Sequence, residues 1–179
     1  EVSKKFNASL SKAERLEQGI FFTPKKARDV LFSKLTELGV NPKNILEPSF
    51  GSGEFLLDAR RIYPKAKILG VEKNEALFKS VKCPESTLTC CDFLTWNGKA
   101  DLIIGNPPYF VLNKDKLTAK EKKAFSEKHS SSMTGRHNIY ILFLYKCLEE
   151  HLETDGFLAF IIPTSLYNCS YYQPMRNYI

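Results

Sequence analysis

Short apolar runs alternate with stretches of helical periodicity along most of this chain. The apolar runs with strand character are bounded by turn residues, and they span 45–48, 66–72, 86–90, 101–105 and 156–163. Between them, apolar residues three and four positions apart predict helices, over 24–38, to about residue 61, near 74–81 and over about 139–152. Strict alternation of strands and helices predicts an α/β fold with a Rossmann-like doubly wound, mostly parallel sheet.

The N-terminal residues have a pattern of their own. Phe6, Leu10 and Leu16 lie on one apolar stripe, which predicts a short amphipathic helix within residues 1–17, ahead of a main domain over 18–179. The chain has no initiator methionine and ends inside a helical pattern. We therefore expect it to be a fragment of a longer protein.

Composition favours one globular domain inside the cell. Hydrophobic residues make up 43% of the 179 positions, which is enough for one sizeable core. The chain has no apolar run long enough to span a membrane and no N-terminal signal core, so we expect a cytoplasmic protein without membrane contact. The five cysteines and three histidines lack the spacing of a metal site, so we expect reduced thiols and no bound metal.

The charge of the chain points only weakly to a partner. The net charge of +6 fits a polyanionic partner, and lysines are densest within 114–128. The same stretch contains Asp115, Glu121 and Glu127, so a solvated helix face explains it equally well. Charge alone does not decide between the two.

Residues with ligand-binding chemistry follow the first three strands. Glu47 ends the first strand, and the turn after it contains Gly51 and Gly53, which allow a ligand to approach the backbone closely. Glu72 ends the second strand, where an acid can accept hydrogen bonds from ribose hydroxyls, and Asp92 follows the third. Each feature alone is also explained as a tight turn or an ordinary strand-end acid. Because ligands bind at the carboxyl ends of parallel strands, their agreement predicts a nucleoside-like ligand.

The fourth strand ends in the tip Asn106-Pro107-Pro108-Tyr109. The two prolines fix φ and have no N–H, so nearby carbonyls are not used up in a strand ladder. Asn106 contributes a side-chain acceptor, Pro107 a main-chain acceptor and Tyr109 a flat aromatic face. This combination suits a planar ring with an exocyclic amino group, such as adenine, and it predicts a catalytic site.

In this order, the motifs resemble those of class I S-adenosylmethionine-dependent methyltransferases, in the group that methylates the N6 amino group of DNA adenine. The resemblance covers residues 18–179, and the order of the motifs is notably similar to that of the Thermus restriction-modification adenine methyltransferase. It implies that Glu47 lies near the methionine amino group of the cofactor S-adenosylmethionine, Glu72 near its ribose, and Asp92 with Phe93 near its adenine. The cofactor-binding residues implied in this way are Phe22, Thr23, Glu47, Pro48, Ser49, Gly51, Gly53, Glu72, Asp92, Phe93 and Asn106.

The same resemblance implies an activity. A methyl group would pass from the cofactor to an adenine flipped out of double-stranded DNA, in a restriction-modification system, with the tip Asn106–Tyr109 as the catalytic residues. No metal is implied, because the sulfonium is already an activated donor. The segments 135–140 and 156–163 also resemble parts of these enzymes, which puts His137 near the active site without requiring a histidine there.

Two features leave alternatives open. Enzymes of this group continue into a last pair of strands and a separate target-recognition region, neither of which we find before Ile179. We therefore expect a sheet that lacks its last strands. The same tip occurs in RNA and protein-glutamine methyltransferases, so the same chemistry on another acceptor is the nearest alternative. A catalytically silent cofactor-binding or DNA-binding module of a larger assembly is the second.

Overall fold

The structure, a computed structural model, describes residues 23–111 and 138–179. Within these ranges, five strands form one parallel sheet. The strands are β1 (Asn44–Glu47), β2 (Lys67–Glu72), β3 (Ser86–Cys90), β4 (Ala100–Gly105) and β5 (Leu152–Phe160). Their order in space is β3-β2-β1-β4-β5, so the sheet grows in one direction from β1 to β3 and in the other from β4 to β5. The predicted doubly wound, Rossmann-like α/β fold is confirmed.

Helices flank most of the strands, and β3 is followed by a 3₁₀ turn instead. They are α1 (Lys25–Glu37), α2 (Glu54–Ile62), α3 (Glu75–Ser80), α4 (Ile139–Lys146), α5 (Ser165–Asn168) and α6 (Gln173–Tyr178). Short 3₁₀ turns occur at Phe93–Thr95 and Ser170–Tyr172, and a π turn follows α4 at Cys147–His151. None of the helices in the described ranges is long and apolar enough to cross a bilayer.

The first helix shows how local sequence sets its ends. Pro24 precedes α1 with φ −56°, and its carbonyl accepts hydrogen bonds from the backbone N–H groups of Ala27 and Arg28. Gly39 follows the helix with φ +70°, a left-handed conformation that ends helices readily. The predicted helix over 24–38 is therefore confirmed.

The core lies on both faces of the sheet. Neighbouring residues on a strand point to opposite faces, so Ile45 packs beneath α1 and α2 whereas Leu46 packs against α4 on the other side. Both side chains are fully buried, and so are Leu102 and Ile103 of β4, which divide in the same way. Such two-sided burial explains why β1 and β4 read as continuous apolar runs.

Two predicted boundaries are wrong where α4 meets β5. The predicted helix over 139–152 ends as an α-helix at Lys146, continues through the π turn to His151, and gives way to strand at Leu152. The predicted strand over 156–163 begins four positions earlier than expected and ends at Phe160. Its pairing with β4 shifts register between Leu152 and Phe157, and Asp155 there has φ +62°, so a bulge lets the strand start early.

Several predictions lie outside the described residues. They concern the amphipathic helix within 1–17, the lysine-rich stretch 114–128, Phe22, His129 and His137. The chain on either side of 112–137 is paired, because Val111 forms an antiparallel bridge with Asn138 and the Phe110 carbonyl accepts from the Ile139 N–H at 3.0 Å.

Candidate active site

The sheet brings the predicted strand-end residues to one edge. Glu47 ends β1, Glu72 ends β2, and Asp92 lies two residues beyond β3. Asn106 directly follows β4, and β4 is the neighbour of β1 in the sheet. Residues that are far apart in the sequence therefore lie along one row at the carboxyl ends of four adjacent strands, on either side of the point where the strand order reverses.

The turn after β1 is tied to the acid that ends β2. Glu72 accepts a hydrogen bond from the Gly51 N–H at 2.8 Å and another from the Asn74 N–H at 2.7 Å. Burial raises the pKa of Glu72, and these backbone N–H groups act in the opposite direction because they favour its ionised form. The backbone N–H of Lys73 also acts on this carboxylate, so Glu72 uses three of its four acceptor positions and keeps one for a ligand.

The two glycines of this turn share a positive φ but differ in how closely the chain packs around them. Gly53 has φ +78°, and a Cβ built there would lie 2.4 Å from a methyl carbon of Val81. Gly51 also has positive φ, at +51°, but a Cβ there would meet open space. The turn is therefore pressed against the chain at Gly53 and open on the side of Gly51, where a ligand can approach the backbone.

Glu47 is the most unusual carboxylate of the described chain. It is 1% exposed, and its Oε2 has no hydrogen-bond partner among the residues that the structure describes. Burial raises the pKa of Glu47 well above its usual range, the neighbouring Glu72 raises it further, and Arg28 opposes both. The buried hydroxyl of Ser49, two residues on, likewise lacks a partner within the described ranges. This pair of unsatisfied acceptors suits a ligand that brings a positively charged donor.

Asp92 and Phe93 differ in how they are placed. Asp92 is partly exposed; one of its oxygens accepts from the Leu94 N–H at 3.0 Å and the other pairs with Lys73 at 2.6 Å. Phe93 is 2% exposed, with its ring centroid 4.9 Å from that of Phe143. The carboxylate thus lies at the edge with the other acids, whereas the Phe93 ring belongs to the core below it.

The tip after β4 forms a hydrogen-bonded cluster. The Asn106 Nδ2 donates to the Thr23 Oγ1 at 2.9 Å, while the Asn106 Oδ1 contacts the Tyr109 hydroxyl. That hydroxyl also contacts the Ile161 carbonyl at 2.5 Å, and it carries a single proton, so it donates to one of the two oxygens at a time. Burial raises the pKa of Tyr109, so the hydroxyl stays neutral at physiological pH. Its ring packs edge-on against Tyr140, with the centroids 5.9 Å apart.

Arg28 belongs to this region, although it is not among the residues predicted from the sequence. It is 8% exposed, its Nη1 donates to the Thr23 carbonyl at 2.5 Å, and its Nε bonds to Asp58 at 2.8 Å. The buried side of α1 consists of Arg28, Phe32 and Leu35. An arginine at an apolar position of an amphipathic helix is a signal of a buried ion pair, and that signal was available in the sequence.

The remaining predicted residues in the described ranges also lie at this edge. Thr23, Pro48 and Pro107 are buried, and Pro108 is partly exposed. Gly105, just before Asn106, would place a Cβ 3.5 Å from the Glu47 side chain. The described ranges contain no group of three or more histidine, cysteine or acidic residues placed to hold a metal ion. The site is thus an acidic and amide-lined edge next to a tyrosine, open beside Gly51, and its chemistry suits a polar ligand that carries donors.

The sequence model of the Eco57I restriction-modification methylase family matches residues 34–179. The chain is 39% identical over 181 residues to the type II methyltransferase M.CvrRI of Paramecium bursaria Chlorella virus XZ-6E, covering 99% of this chain and 44% of that protein. It is 40% identical over 185 residues to the modification methylase CviBIII of Paramecium bursaria Chlorella virus NC1A, covering 100% and 46%. The chain therefore spans somewhat less than half the length of these two relatives.

Comparison of folds agrees with this. The methyltransferase subunit of a type I restriction-modification system from Streptococcus thermophilus superposes with a TM-score of 0.66 at 20% identity, covering 88% of this chain and 38% of that one. At this identity, the likeness bears on the fold alone. The family match over most of the chain, together with relatives near 40% identity, shows that this chain belongs to the Eco57I restriction-modification methylase family.

Proposed function

We propose that this chain is the cofactor-binding and catalytic part of a DNA methyltransferase of a restriction-modification system. Its reaction transfers a methyl group from S-adenosylmethionine to the exocyclic N6 amino group of adenine in double-stranded DNA. The observation that carries this proposal is the Asn106 carboxamide, with Tyr109 beside it, directly after Gly105, which lies against the side chain of Glu47 and its unsatisfied carboxylate oxygen.

The residues at the carboxyl edge fit the cofactor. Glu47 would accept from the methionine amino group with its unpartnered Oε2, and Glu72 would accept from the ribose hydroxyls. Asp92, one of whose oxygens pairs with Lys73, would accept from the amino group of the cofactor's own adenine. The other residues assigned to the cofactor are Phe22, Thr23, Pro48, Ser49, Gly51, Gly53, Phe93 and Asn106. When bound, S-adenosylmethionine supplies a methyl group on a positively charged sulfur, which needs no metal for activation.

The N6 amino group of the target adenine is a poor nucleophile because its lone pair is delocalised into the ring. The Asn106 Oδ1 and the Pro107 carbonyl accept hydrogen bonds from its two N–H groups and hold the lone pair in line with the methyl carbon. The lone pair forms the new N–C bond, the electrons of the broken C–S bond stay on sulfur, and one N6 proton leaves to solvent. Pro107 and Pro108 hold the backbone rigid, and Tyr109 stacks on the flipped base.

The contacts of the Tyr109 hydroxyl fit the entry of such a base. This hydroxyl lies against the Asn106 Oδ1, the acceptor that the base requires, and against the Ile161 carbonyl. When the base amino group takes the Asn106 oxygen, the hydroxyl keeps a partner in Ile161. The tip can therefore exchange one donor for another without leaving a buried polar group unpaired.

Contacts that read the DNA sequence are proposed to come from a separate target-recognition region of the full protein. Unstacking the target adenine costs on the order of a few kcal/mol, which the tyrosine face and the acceptor pair offset. RNA and protein-glutamine acceptors present similar amino geometry, so the experiment must distinguish acceptors as well as activity.

The test is nucleoside mass spectrometry of DNA and RNA from cells that express the full protein. The intact protein should produce N6-methyladenine in DNA, and Asn106→Ala should abolish it because the acceptor oxygen is lost. Calorimetry should show cofactor affinity within about threefold of the wild type, since one amide contact contributes little to cofactor binding.

The matched control is Asn41→Ala, an exposed asparagine before β1 at the opposite edge of the sheet, which should leave methylation unchanged. Persistent DNA methylation in Asn106→Ala would rule out the catalytic assignment. Methylation in RNA alone would replace DNA as the acceptor, and cofactor binding without methylation of either nucleic acid would favour a protein acceptor or the silent module.

A further inference from the structure

We propose that Thr23 and Arg28 are positioning residues for the reaction: the Thr23 hydroxyl holds the Asn106 carboxamide in place, and Arg28 holds Thr23. This inference rests on the proposed function, because it concerns the oxygen that accepts from the adenine amino group. Sequence resemblance connects Thr23 only with the cofactor.

The Asn106 carboxamide must point one way to work. Its oxygen accepts, whereas its nitrogen donates, so rotation by half a turn would aim N–H groups at the N–H groups of the adenine amine. In the structure, the nitrogen end is held by the buried Thr23 hydroxyl at 2.9 Å, and the oxygen end lies on the side of Tyr109. The Thr23 hydroxyl thus anchors one end of the carboxamide and leaves the other end on the side of Tyr109, where the base is proposed to bind.

Thr23 lies before the first helix, outside any helix or strand, so something else must hold it. Arg28 does so from the first turns of α1, because its Nη1 donates to the Thr23 carbonyl at 2.5 Å. The same guanidinium bonds to Asp58 at 2.8 Å and to Glu54 at 3.3 Å, both on α2. Its planar fork makes these contacts at once, which fixes Thr23 relative to two helices and not to one.

A positioning role differs from a cofactor-binding role in what the loss of the hydroxyl changes. If Thr23 positions the carboxamide, removing its hydroxyl should slow methyl transfer even when the protein is saturated with cofactor. If Thr23 acts only through the cofactor, cofactor affinity should fall while transfer at saturating cofactor stays the same.

The experiment is single-turnover methyl transfer to DNA by the full protein at saturating cofactor. Thr23→Val should slow transfer by about 10- to 100-fold, as misplacement of a reacting group does, and Thr23→Ser should stay within about threefold. Unchanged transfer by Thr23→Val at saturating cofactor, with or without a loss of cofactor affinity, overturns the inference.

A second measurement does not require activity. In protein labelled with ¹⁵N-asparagine, Thr23→Val should shift the Asn106 side-chain NH₂ signals and speed their exchange with water, whereas Thr23→Ser should preserve them. Arg28→Lys keeps the charge but cannot bond to Thr23 and Asp58 together, so it should shift the same signals. Unmoved signals in Thr23→Val overturn the role of Thr23, and unmoved signals in Arg28→Lys overturn that of Arg28. No transfer by the wild type would instead overturn the proposed function, and the NH₂ signals would still decide the inference.

Discussion

At the scale of one residue, Glu47 differs from an ordinary buried carboxylate because its hydrogen-bonding capacity is not satisfied. A buried carboxylate normally has two or three donors, yet one oxygen of Glu47 has none among the described residues. The negative charge of Glu72 adds to the cost of ionising it, and Arg28 recovers only part of that cost. Glu47 is therefore poised to gain from a cationic ligand.

We expect Glu47→Gln to stabilise the cofactor-free protein and to weaken cofactor binding at the same time. Because the folded pKa of Glu47 is raised, the native state holds a proton that the unfolded state releases, so stability falls as pH rises above about 4.3, the usual value for a glutamate. Urea unfolding between pH 5 and 8 should show this fall in the wild type and a smaller one in the variant.

Calorimetry with S-adenosylmethionine checks the second half of that expectation. The variant should bind at least about tenfold more weakly, because a charged hydrogen bond is lost. A variant that is less stable at every pH, or that binds the cofactor normally, would show that the orphaned oxygen has another purpose.

At this scale the sequence predicted where four candidate residues lie. Glu47 and Glu72 end strands, Asn106 directly follows one and Asp92 follows another two residues later, and parallel strands bring their carboxyl ends together. Arg28 was missed because periodicity marks which face of α1 is buried but not which distant group a buried side chain meets. For the same reason the sequence does not reveal that the Phe93 ring packs against Phe143, fifty residues further along.

At the scale of elements, the turn between β1 and α2 is the part whose shape the ligand depends on. Its two positive-φ glycines provide a comparison within one turn, since only Gly53 is closely packed. Alanine at either position pays about 1–2 kcal/mol for the left-handed backbone. At Gly53, the contact with Val81 adds about 1–3 kcal/mol of overpacking.

We therefore expect Gly53→Ala to lower the free energy of unfolding more than Gly51→Ala does, in denaturant titrations of the two variants. Val81→Ala combined with Gly53→Ala should recover part of the difference, because it removes the methyl carbon at 2.4 Å. If Gly51→Ala proves the more damaging change, Gly51 and not Gly53 is the closely packed position of the turn.

The elements that sequence predicted least well lie between α4 and β5. The apolar pattern runs on without a break from Ile139 to Leu152, so nothing in it marks the change from α-helix to π turn. The start of β5 is set by pairing with Ala100, a partner far away in the chain. Boundaries of this kind follow from tertiary contacts and not from local propensity.

At the scale of the whole molecule, the buried His151 makes the stability of the fold depend on pH. It is 1% exposed, its Nδ1 donates to the Gly98 carbonyl at 2.7 Å, and its ring lies 5.0 Å from Phe93 and 5.2 Å from Trp96. Burial lowers the pKa of His151, and the nearby Lys146 and Lys99 add to this, while Gly98 and Glu150 oppose it. The native state therefore holds the neutral ring.

Because the folded pKa is depressed, we expect stability from His151 to be complete above about pH 6.5, the usual value for histidine, and to be lost as pH falls below it. The slope for one proton is at most about 1.4 kcal/mol per pH unit. Thermal unfolding between pH 7.5 and 5 should show this loss, and His151→Gln, which can still donate to Gly98, should lessen it. The same slope in both proteins would assign the loss to other groups.

The pairing of β1 with β4 has a consequence for how the protein reaches its native state. β1 is only four residues long, and its first residues are held by Asp101, whose carboxylate accepts from the Lys43 and Asn44 N–H groups across 58 and 57 positions of sequence. The bond between Thr23 and Asn106 spans 83 positions. Contacts this distant form slowly, because a long loop must close before they give any stabilisation. Cofactor binding should therefore appear in the last kinetic phase of refolding, after helical structure has formed.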